Sequence, residues 1–349
     1  MLCVCGMHLC LYGSPPMKLE PASMDALTLA LVVSGSTIGA LLCCCCCAVC
    51  CVWRRAFGRG CRHKRHSNPD APCVLLLGDS ITQGTLSASW GGELAKRFPS
   101  LNFVNTAING DPSYQVLTRL PECIMRPEVK NLKMAILLVG TNDAIAMLNP
   151  LLAGALYKEK GVPGGKLGPW YPTVDIYERQ VINIIFYLQQ EGAEVIVVSP
   201  PPLGDVLPPA PVPSHPRYGL LSHLPNGLLT ELAAAAKRAV ETPRWKLRCT
   251  YVPFFEELAG RIPAALASSG REAESFNARI GQIAKAAGSV LRYACGTPWD
   301  ALSSSVFTHD AIHLNERGCG VLVELLSPLL EPLSTAAASA QSLQDPLQQ

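Results

Sequence analysis

A serine at the end of an apolar run is the first residue of this chain whose position indicates chemistry. Ser80 closes the tripeptide Gly78-Asp79-Ser80, directly after residues 73–77, which have the length and apolar character of a buried β-strand. A strand-to-helix turn exposes a hydroxyl there and aims the first N–H groups of the helix at whatever it attacks. Ser80 is therefore a candidate nucleophile, provided that a base lies elsewhere. The alternative is that Gly-Asp-Ser forms only a turn and a helix N-cap.

A histidine near the carboxyl end of the chain is a candidate for that base. Asp310 and His313 lie three residues apart in the segment Thr-His-Asp-Ala-Ile-His-Leu-Asn. At this spacing the carboxylate can accept a hydrogen bond from Nδ1–H, which leaves Nε2 to take a proton from Ser80. His309 competes for the role, but it precedes Asp310, whose carboxylate would have to reach sideways to it. A satisfied surface histidine is the alternative for His313.

Two further segments contain groups that could stabilise a negatively charged oxygen. Gly110, in Asn105-Thr-Ala-Ile-Asn-Gly-Asp111, can present a backbone N–H without a side chain that blocks approach. Asn142, in Gly-Thr-Asn-Asp, can direct its amide N–H groups into the same crevice. Each has a simpler alternative, since the glycine could serve a turn and the asparagine could cap the next helix.

The elements that would position these residues alternate between strand-like and helix-like segments, which predicts an α/β domain with a parallel sheet. We predict strands at residues 74–77, 101–105, 134–139, 194–198 and 248–252. We predict helices at residues 87–98, 114–125, 173–190, 228–240, 271–287 and 315–330. Residues 144–172 and 205–243 look like insertions, and the small, polar residues 333–349 are expected to form a disordered tail. The polar segments follow strand ends, where open α/β sheets bind ligands.

These segments, in this order, resemble the four sequence blocks of the GDSL/SGNH hydrolases, a family of esterases and lipases. The blocks are Gly-Asp-Ser-Ile-Thr, Asn-Thr-Ala-Ile-Asn-Gly-Asp, Gly-Thr-Asn-Asp and Asp-Ala-Ile-His. The resemblance implies a flavodoxin-like three-layer α/β/α sandwich over residues 73–332. One difference is Asn109-Gly-Asp-Pro112 where members of the family often have Ser-Gly-Asp-Thr, and the proline removes a backbone donor other than that of Gly110.

The resemblance also implies a mechanism of two-step acyl transfer without a metal or cofactor. Ser80 would be the nucleophile, with His313 and Asp310 completing a catalytic triad. The oxyanion hole would be formed by Ser80, Gly110 and Asn142.

The charge and cysteine content restrict the remaining possibilities. A net charge of +2 without a dominant basic face in the globular part argues against a nucleic-acid partner. Eleven of the 16 cysteines precede residue 62, and the other five are scattered singly, unlike the ligands of a zinc site or a disulfide scaffold. We interpret those five as mostly buried thiols.

The amino-terminal segment has the pattern of a membrane anchor. After a flank of residues 1–25, residues 26–53 contain no charge over 28 positions, more than a helix needs to cross a bilayer. A basic linker, residues 54–72, follows, which predicts a single-pass protein with its hydrolase domain in the cytosol. Cysteines cluster at the carboxyl end of the span, where S-palmitoylation is common. The alternative is a cleaved signal peptide that starts near Met24 and leaves the domain secreted or luminal.

The predicted function is a membrane-anchored serine ester hydrolase that acts on lipid or other carboxylic esters. The anchor and the apolar residues 144–156 motivate a lipid substrate, although those residues could equally pack into the core. Two alternatives stay open: a carbohydrate O-acetyl esterase of the same fold, and a catalytically silent, membrane-tethered module that binds a ligand.

Overall fold

A five-stranded parallel sheet organises the protein. The structure is a computed structural model, and it describes residues 70–148, 172–207, 225–242, 248–274, 276, 292, 297, 299–303 and 305–344. The strands are β1 (Cys73–Gly78), β2 (Asn102–Asn105), β3 (Leu132–Leu138), β4 (Glu194–Val198) and β5 (Cys249–Val252). Their order across the sheet is β2-β1-β3-β4-β5, with parallel pairing throughout. This is the order of the flavodoxin-like doubly wound folds, in which β2 is added on one side of β1 and the later strands on the other side.

The central strands are apolar on both faces because helices cover both sides of the sheet. All six residues of β1 are buried, which explains why it appears in the sequence as a continuous apolar run rather than as an alternating one. Alternate residues of the strands contribute to two separate cores. The predicted α/β class and parallel sheet are therefore observed.

The helices divide between these two cores and produce three layers. The elements are α1 (Ser80–Gln83), α2 (Trp90–Arg97), α3 (Ser113–Ile124), α4 (Thr141–Leu148), α5 (Val174–Gln190), α6 (Pro225–Glu241), α7 (Phe254–Ser269), α8 (Trp299–Leu302) and α9 (Glu316–Gln344). Buried residues of α3, α4, α5 and α6 pack on one face of the sheet. Those of α2, α9 and, apart from Phe255, α7 pack on the other.

Two helices differ from the sequence-based expectation. No element was predicted over α7, although its buried residues Phe254, Phe255, Leu258 and Ile262 recur at helical spacing. Pro263 lies inside this helix and hides it in the sequence, because proline usually ends a helix. Of the helix predicted at residues 271–287, residues 271–274 are not helical, and most of the rest lies outside the described residues.

The closing helix, predicted at residues 315–330, runs past residue 332, the expected end of the domain. It continues to Gln344 through Pro328 and Pro332, so residues 333–344 of the expected disordered tail are helical. An alanine-rich sequence favours this continuation. The hydroxyl of Ser100 also donates to the carbonyl of Ser334 at 3.2 Å, and Ala337 is buried in the core. These contacts attach the extension to the domain.

The predicted amino-terminal membrane span, residues 26–53, lies outside the described residues. Within the described part of the chain, one helix is long and apolar enough to cross a bilayer, Glu316–Ala340 of α9. Its residues Leu322, Leu326 and Leu330 are fully buried against the sheet side of the domain. A core helix satisfies the same test of length and composition, and we assign α9 to the core.

Candidate active site

Ser80 lies on the turn that joins β1 to α1, and its neighbours fix that turn. The carboxylate of Asp79 caps the helix by accepting a hydrogen bond from the N–H of Ile81 at 2.9 Å. A Cβ atom at Gly78 would lie 2.3 Å from the carbonyl oxygen of Leu138, so only glycine allows β1 and β3 to approach this closely. The N-cap predicted as the alternative is therefore present, and it is Asp79 rather than Ser80 that forms it.

Asp310 shapes the turn that presents His313. Its Oδ1 accepts from the backbone N–H groups of Ile312 at 3.0 Å and of His313 at 2.7 Å. Its Oδ2 lies 2.7 Å from Nδ1 of the His313 ring. Ala311 adopts a left-handed conformation, with φ of 66°, to close the turn. The three-residue spacing thus allows one carboxylate to hold both the backbone and the imidazole.

The two distant segments meet at the hydroxyl of Ser80. Its Oγ lies 2.8 Å from Nε2 of His313 across 233 residues of sequence. With Nδ1–H directed at Asp310, Nε2 is left as the acceptor for the Ser80 proton. Ser80 and His313 are each only 6% exposed. The three residues therefore form a continuous chain of hydrogen bonds with the geometry of a nucleophile, a base and an orienting acid.

The ionisation of the two partners favours this arrangement. Burial alone would raise the pKa of Asp310, but the positive charge of His313 and the hydrogen bonds from its ring and backbone lower the pKa to about 2. Burial opposes protonation of His313, yet the Asp310 carboxylate outweighs it and raises the pKa of the imidazole above 6.5. An ionised Asp310 is thus in place to stabilise the imidazolium that forms when His313 takes a proton.

Gly110 lies on the loop after β2 and Asn142 at the start of the helix after β3, and these strands are the two neighbours of β1. Gly110 has φ of 81°, in the left-handed region that glycine adopts without strain. Its loop is joined to the end of β1, because the N–H of Ile108 donates to the carbonyl of Gly78 at 3.3 Å. Asn142 falls within the first turn of α4 and is 7% exposed. The sheet order thus brings all three predicted donor segments to the same end of three adjacent strands.

The amide of Asn142 connects these segments directly. Its Nδ2 lies 3.2 Å from Oδ2 of Asp79 and 3.2 Å from the backbone oxygen of Asp111. Asp79 is fully buried, and this burial raises its pKa to about 7 despite the hydrogen bond from Ile81. Asn142 therefore contacts the residue before Ser80 and the residue after Gly110.

His309, the competing base, lies beside His313 in another role. Its ring stacks on that of His313 with centroids 5.8 Å apart, and its Nε2 lies 2.7 Å from the carbonyl oxygen of Leu86. A carbonyl oxygen only accepts, so Nε2 carries the proton. Burial lowers the pKa of this histidine. His309 therefore joins the triad loop to the segment after α1 and does not face Ser80.

The atoms of His309, Asp310 and His313 that could bind a metal lie within 4.8 Å of one another. Asp310 Oδ2 and His313 Nδ1 are only 2.7 Å apart. Two ligands of a tetrahedral ion with bonds of about 2.0 Å lie about 3.3 Å apart. The observed distance matches a hydrogen bond instead.

Arg119 is a residue of this region that the sequence analysis missed. Its side chain is 13% exposed and forms an ion pair with Asp111, next to Gly110, with Nε 2.5 Å from Oδ2. A signal was present in the sequence, because Arg119 occupies a helical position within the buried stripe Val116, Leu120 and Cys123 of α3.

The apolar segment 144–156, which motivates the lipid substrate, begins inside α4. Its first residues, Ala144, Ile145 and Ala146, are buried within α4, as the alternative of core packing predicted. Residues 149–171 lie outside the described part of the chain.

Comparisons with known proteins extend these observations. A family model described as "GDSL-like Lipase/Acylhydrolase family" matches residues 76–320. The matching solved structures include the acetyl xylan esterase AlAXEase, at 15% identity and a TM-score of 0.45 over 74% of this chain and 99% of that one. TesA matches at 18% identity and a TM-score of 0.40, over 75% and 99% of the two chains. A GDSL-like lipase from Bacteroides thetaiotaomicron matches at 13% and 0.43, over 76% and 91%. No curated protein matches the chain in sequence.

Proposed function

The chain belongs to the GDSL-like lipase/acylhydrolase family, and from this premise we propose that it is a serine hydrolase that cleaves carboxylic esters by two-step acyl transfer. Membership of the family implies esterase or acylhydrolase activity. The observation that supports the serine mechanism is the hydrogen-bonded chain from Ser80 Oγ through His313 to Asp310, at 2.8 Å and 2.7 Å.

In the first step, Ser80 Oγ attacks the ester carbonyl carbon while His313 Nε2 accepts the hydroxyl proton. The resulting tetrahedral intermediate collapses as His313 returns that proton to the leaving alcohol, and an acyl-enzyme remains on Ser80. In the second step, water attacks the acyl carbon while His313 accepts its proton. The bond from that carbon to Ser80 Oγ then breaks, His313 returns the proton to Oγ, and the carboxylic acid leaves. Asp310 holds the imidazole in the required tautomer throughout.

The negative oxygen of each tetrahedral intermediate would be stabilised by three donors: the N–H of Ser80, the N–H of Gly110 and the amide of Asn142. Both Asn142 contacts are long, at 3.2 Å, so one amide N–H can be redirected from the Asp111 oxygen or the Asp79 carboxyl to a stronger acceptor. Loss of one such donor typically lowers kcat by about 100- to 1000-fold, which is the effect we expect for Asn142→Ala.

The direct test is hydrolysis of p-nitrophenyl butyrate by the purified protein. Ser80→Ala should lower kcat by at least about 1000-fold, because the nucleophile is lost. The matched control is Ser268→Ala on α7, whose exposed hydroxyl donates to the Ala265 carbonyl one turn earlier. That variant should hydrolyse the ester at the wild-type rate. Wild-type activity in Ser80→Ala would reject the proposed nucleophile.

We further propose that the substrate is a lipid ester reached from a membrane surface. The support is in the sequence: 28 uncharged residues at 26–53, followed by Arg54 and five more basic residues before the first acid at Asp70. In this proposal the hydrolase domain faces the cytosol. Exposed Ile108, in the same loop as Gly110, offers an apolar contact near the site.

A panel of p-nitrophenyl esters from acetyl to palmitoyl tests the choice of substrate. A lipid hydrolase should have a higher kcat/KM for medium or long acyl chains than for acetate, because a longer chain buries more apolar surface. Activity confined to acetyl esters would instead support the O-acetyl esterase. No turnover of any ester, together with binding of one of them, would support the silent module.

A further inference from the structure

Arg119 binds the two segments that carry the proposed backbone donors of the oxyanion hole, those of Ser80 and Gly110. Beyond the ion pair to Asp111, its Nη1 donates to the carbonyl of Thr106 at 2.5 Å and lies 3.1 Å from the sulfur of Cys123. Its Nη2 donates to the carbonyl of Gly78 at 3.2 Å. The nitrogens of one planar guanidinium thus contact both the end of β1 and the loop after the neighbouring strand β2.

The positions of these acceptors relate them to the site. Gly78 is the last residue of β1, two residues before Ser80, so its carbonyl helps set the direction in which the Ser80 N–H points. Thr106 and Asp111 are at opposite ends of the loop that contains Gly110, and Arg119 spans that loop from outside. The backbone oxygen of Asp111 also accepts from the Asn142 amide at 3.2 Å.

We propose that Arg119 is a positioning residue that holds the three oxyanion donors at fixed mutual distances. This inference rests on the proposed function and adds a determinant of its rate. Oxyanion stabilisation requires preorganised donors, and a displacement of about 1 Å can lower a rate by about 100-fold. Arg119 does not touch the reacting atoms in this role but acts through Gly78, Asp111 and their neighbours.

Arginine suits this place better than lysine. A guanidinium presents five N–H donors in a rigid plane, whereas an ammonium is a compact charge on a flexible stem. Arg119→Lys can keep the ion pair with Asp111 but cannot also reach Thr106 and Gly78 with fixed geometry. Arg119→Met keeps much of the side-chain volume and removes every donor.

The test measures kcat and KM for p-nitrophenyl butyrate, with active sites counted by end-point labelling with a fluorophosphonate. Per labelled serine, kcat should fall about 100-fold in Arg119→Met and about 10-fold in Arg119→Lys, with KM changed by less than about 3-fold. The matched control is Arg238→Lys on α6, which replaces an arginine that pairs with Glu178 at the protein surface. Its kcat should stay within about 2-fold of wild type.

A purely structural role would lower the labelled fraction or the melting temperature while kcat per labelled serine stayed at the wild-type value, and that result would overturn the proposal. Asp111 is left without its buried partner in Arg119→Met, and this variant can fail to fold. Arg119→Lys then decides, and wild-type kcat in that variant would equally overturn the role. A wild-type protein that neither hydrolyses the ester nor takes up the probe would reject the proposed function itself, before any Arg119 variant is compared.

Discussion

At the scale of single residues, the two oxygens of Asp310 make different hydrogen bonds. Oδ1 accepts from two backbone N–H groups and shapes the turn, while Oδ2 orients the imidazole of His313. Any replacement of Asp310 therefore changes both the turn and the ring. Asparagine is the mildest replacement, because it keeps one acceptor oxygen and the same volume.

The raised pKa of His313 predicts how activity depends on pH. His313 accepts a proton only when it is neutral, so kcat/KM should decrease as the pH falls through the pKa of the imidazole. Because Asp310 raises that pKa, the acid limb of the profile for p-nitrophenyl butyrate should have its midpoint above 6.5. Burial raises the pKa of Asp79 to about 7, and its carboxylate lies close enough to His313 to affect the ionisation of the imidazole. The midpoint of the acid limb therefore belongs to both groups together. A wild-type midpoint below 6.5 would contradict this account.

Asp310→Asn removes both effects of the carboxylate on His313, and the pH profile and kcat report them separately. It removes the carboxylate that raises the pKa of His313, so the midpoint of the acid limb should move to lower pH. It also removes the acceptor for Nδ1–H. The ring is then no longer held in the tautomer that leaves Nε2 free to accept the Ser80 proton, and kcat should fall by about 10⁴-fold. The surface variant Glu178→Gln should leave both quantities unchanged. A large loss of kcat with an unmoved limb would show that Asp310 does not set the ionisation of His313.

Asp310, His313 and Ser80 could be predicted because their local spacing indicates their roles. Arg119 could not, because its role depends on tertiary contacts. Asp310 and His313 lie within one turn, and Ser80 lies on a strand-to-helix junction, so a local pattern was enough to select them. Arg119 finds its partners at Gly78, 41 residues away, and at Thr106, 13 residues away. Only the pairing of β1 with β2 brings those carbonyls together.

At the scale of elements, proline limited how well the helices could be predicted. Pro263 lies inside α7, which was not predicted, and Pro332 lies beyond the end predicted for α9, whereas the helices that contain Pro121 and Pro328 were predicted. Each removes one backbone donor, and the loss is offset where the helix has a buried face to pack. Strand positions were easier to predict, because β1, β3 and β4 each contain four or five consecutive apolar residues, the length of a buried strand.

The assignment of α9 to the core predicts the effect of a cavity. Leu326 is fully buried among residues of α2, α7 and the sheet. Leu326→Ala should lower the free energy of unfolding by about 2–5 kcal/mol, as measured by urea denaturation. The control Glu331→Ala lies on the exposed side of the same helix and should change it by less than about 0.5 kcal/mol. An unchanged stability in Leu326→Ala would indicate that α9 does not pack in the core.

At the scale of the whole molecule, the reversal of strand order collects the site. β1 lies between β2 and β3, so the loops after these three strands open at one end of the sheet, where ligands of doubly wound folds bind. The triad loop arrives from the far end of the sequence. It is attached by the N–H of Ala88, which donates to the carbonyl of Leu314 at 2.9 Å. The alternation of strands and helices predicted a parallel sheet. It did not predict the long-range hydrogen bond between Ala88 and Leu314 that attaches the triad loop.

The proposed anchor predicts how the full-length protein partitions. It should remain in the membrane pellet after extraction with alkaline carbonate, because residues 26–53 are long enough to span a bilayer. Ile38→Arg, near the middle of that segment, should weaken insertion, since an arginine there costs about 2.5–3.5 kcal/mol. The control is Lys237→Arg, at an exposed position of α6 in the hydrolase domain, which should leave partitioning unchanged. Release of the wild-type protein by carbonate would contradict the anchor.

The most direct measurement of the central claim is the site of covalent labelling by a fluorophosphonate, located by mass spectrometry. The account predicts a single adduct on Ser80, absent in Ser80→Ala and formed far more slowly in His313→Ala, because the imidazole at 2.8 Å activates that hydroxyl. An adduct on another serine, or equal labelling of wild type and Ser80→Ala, would contradict it.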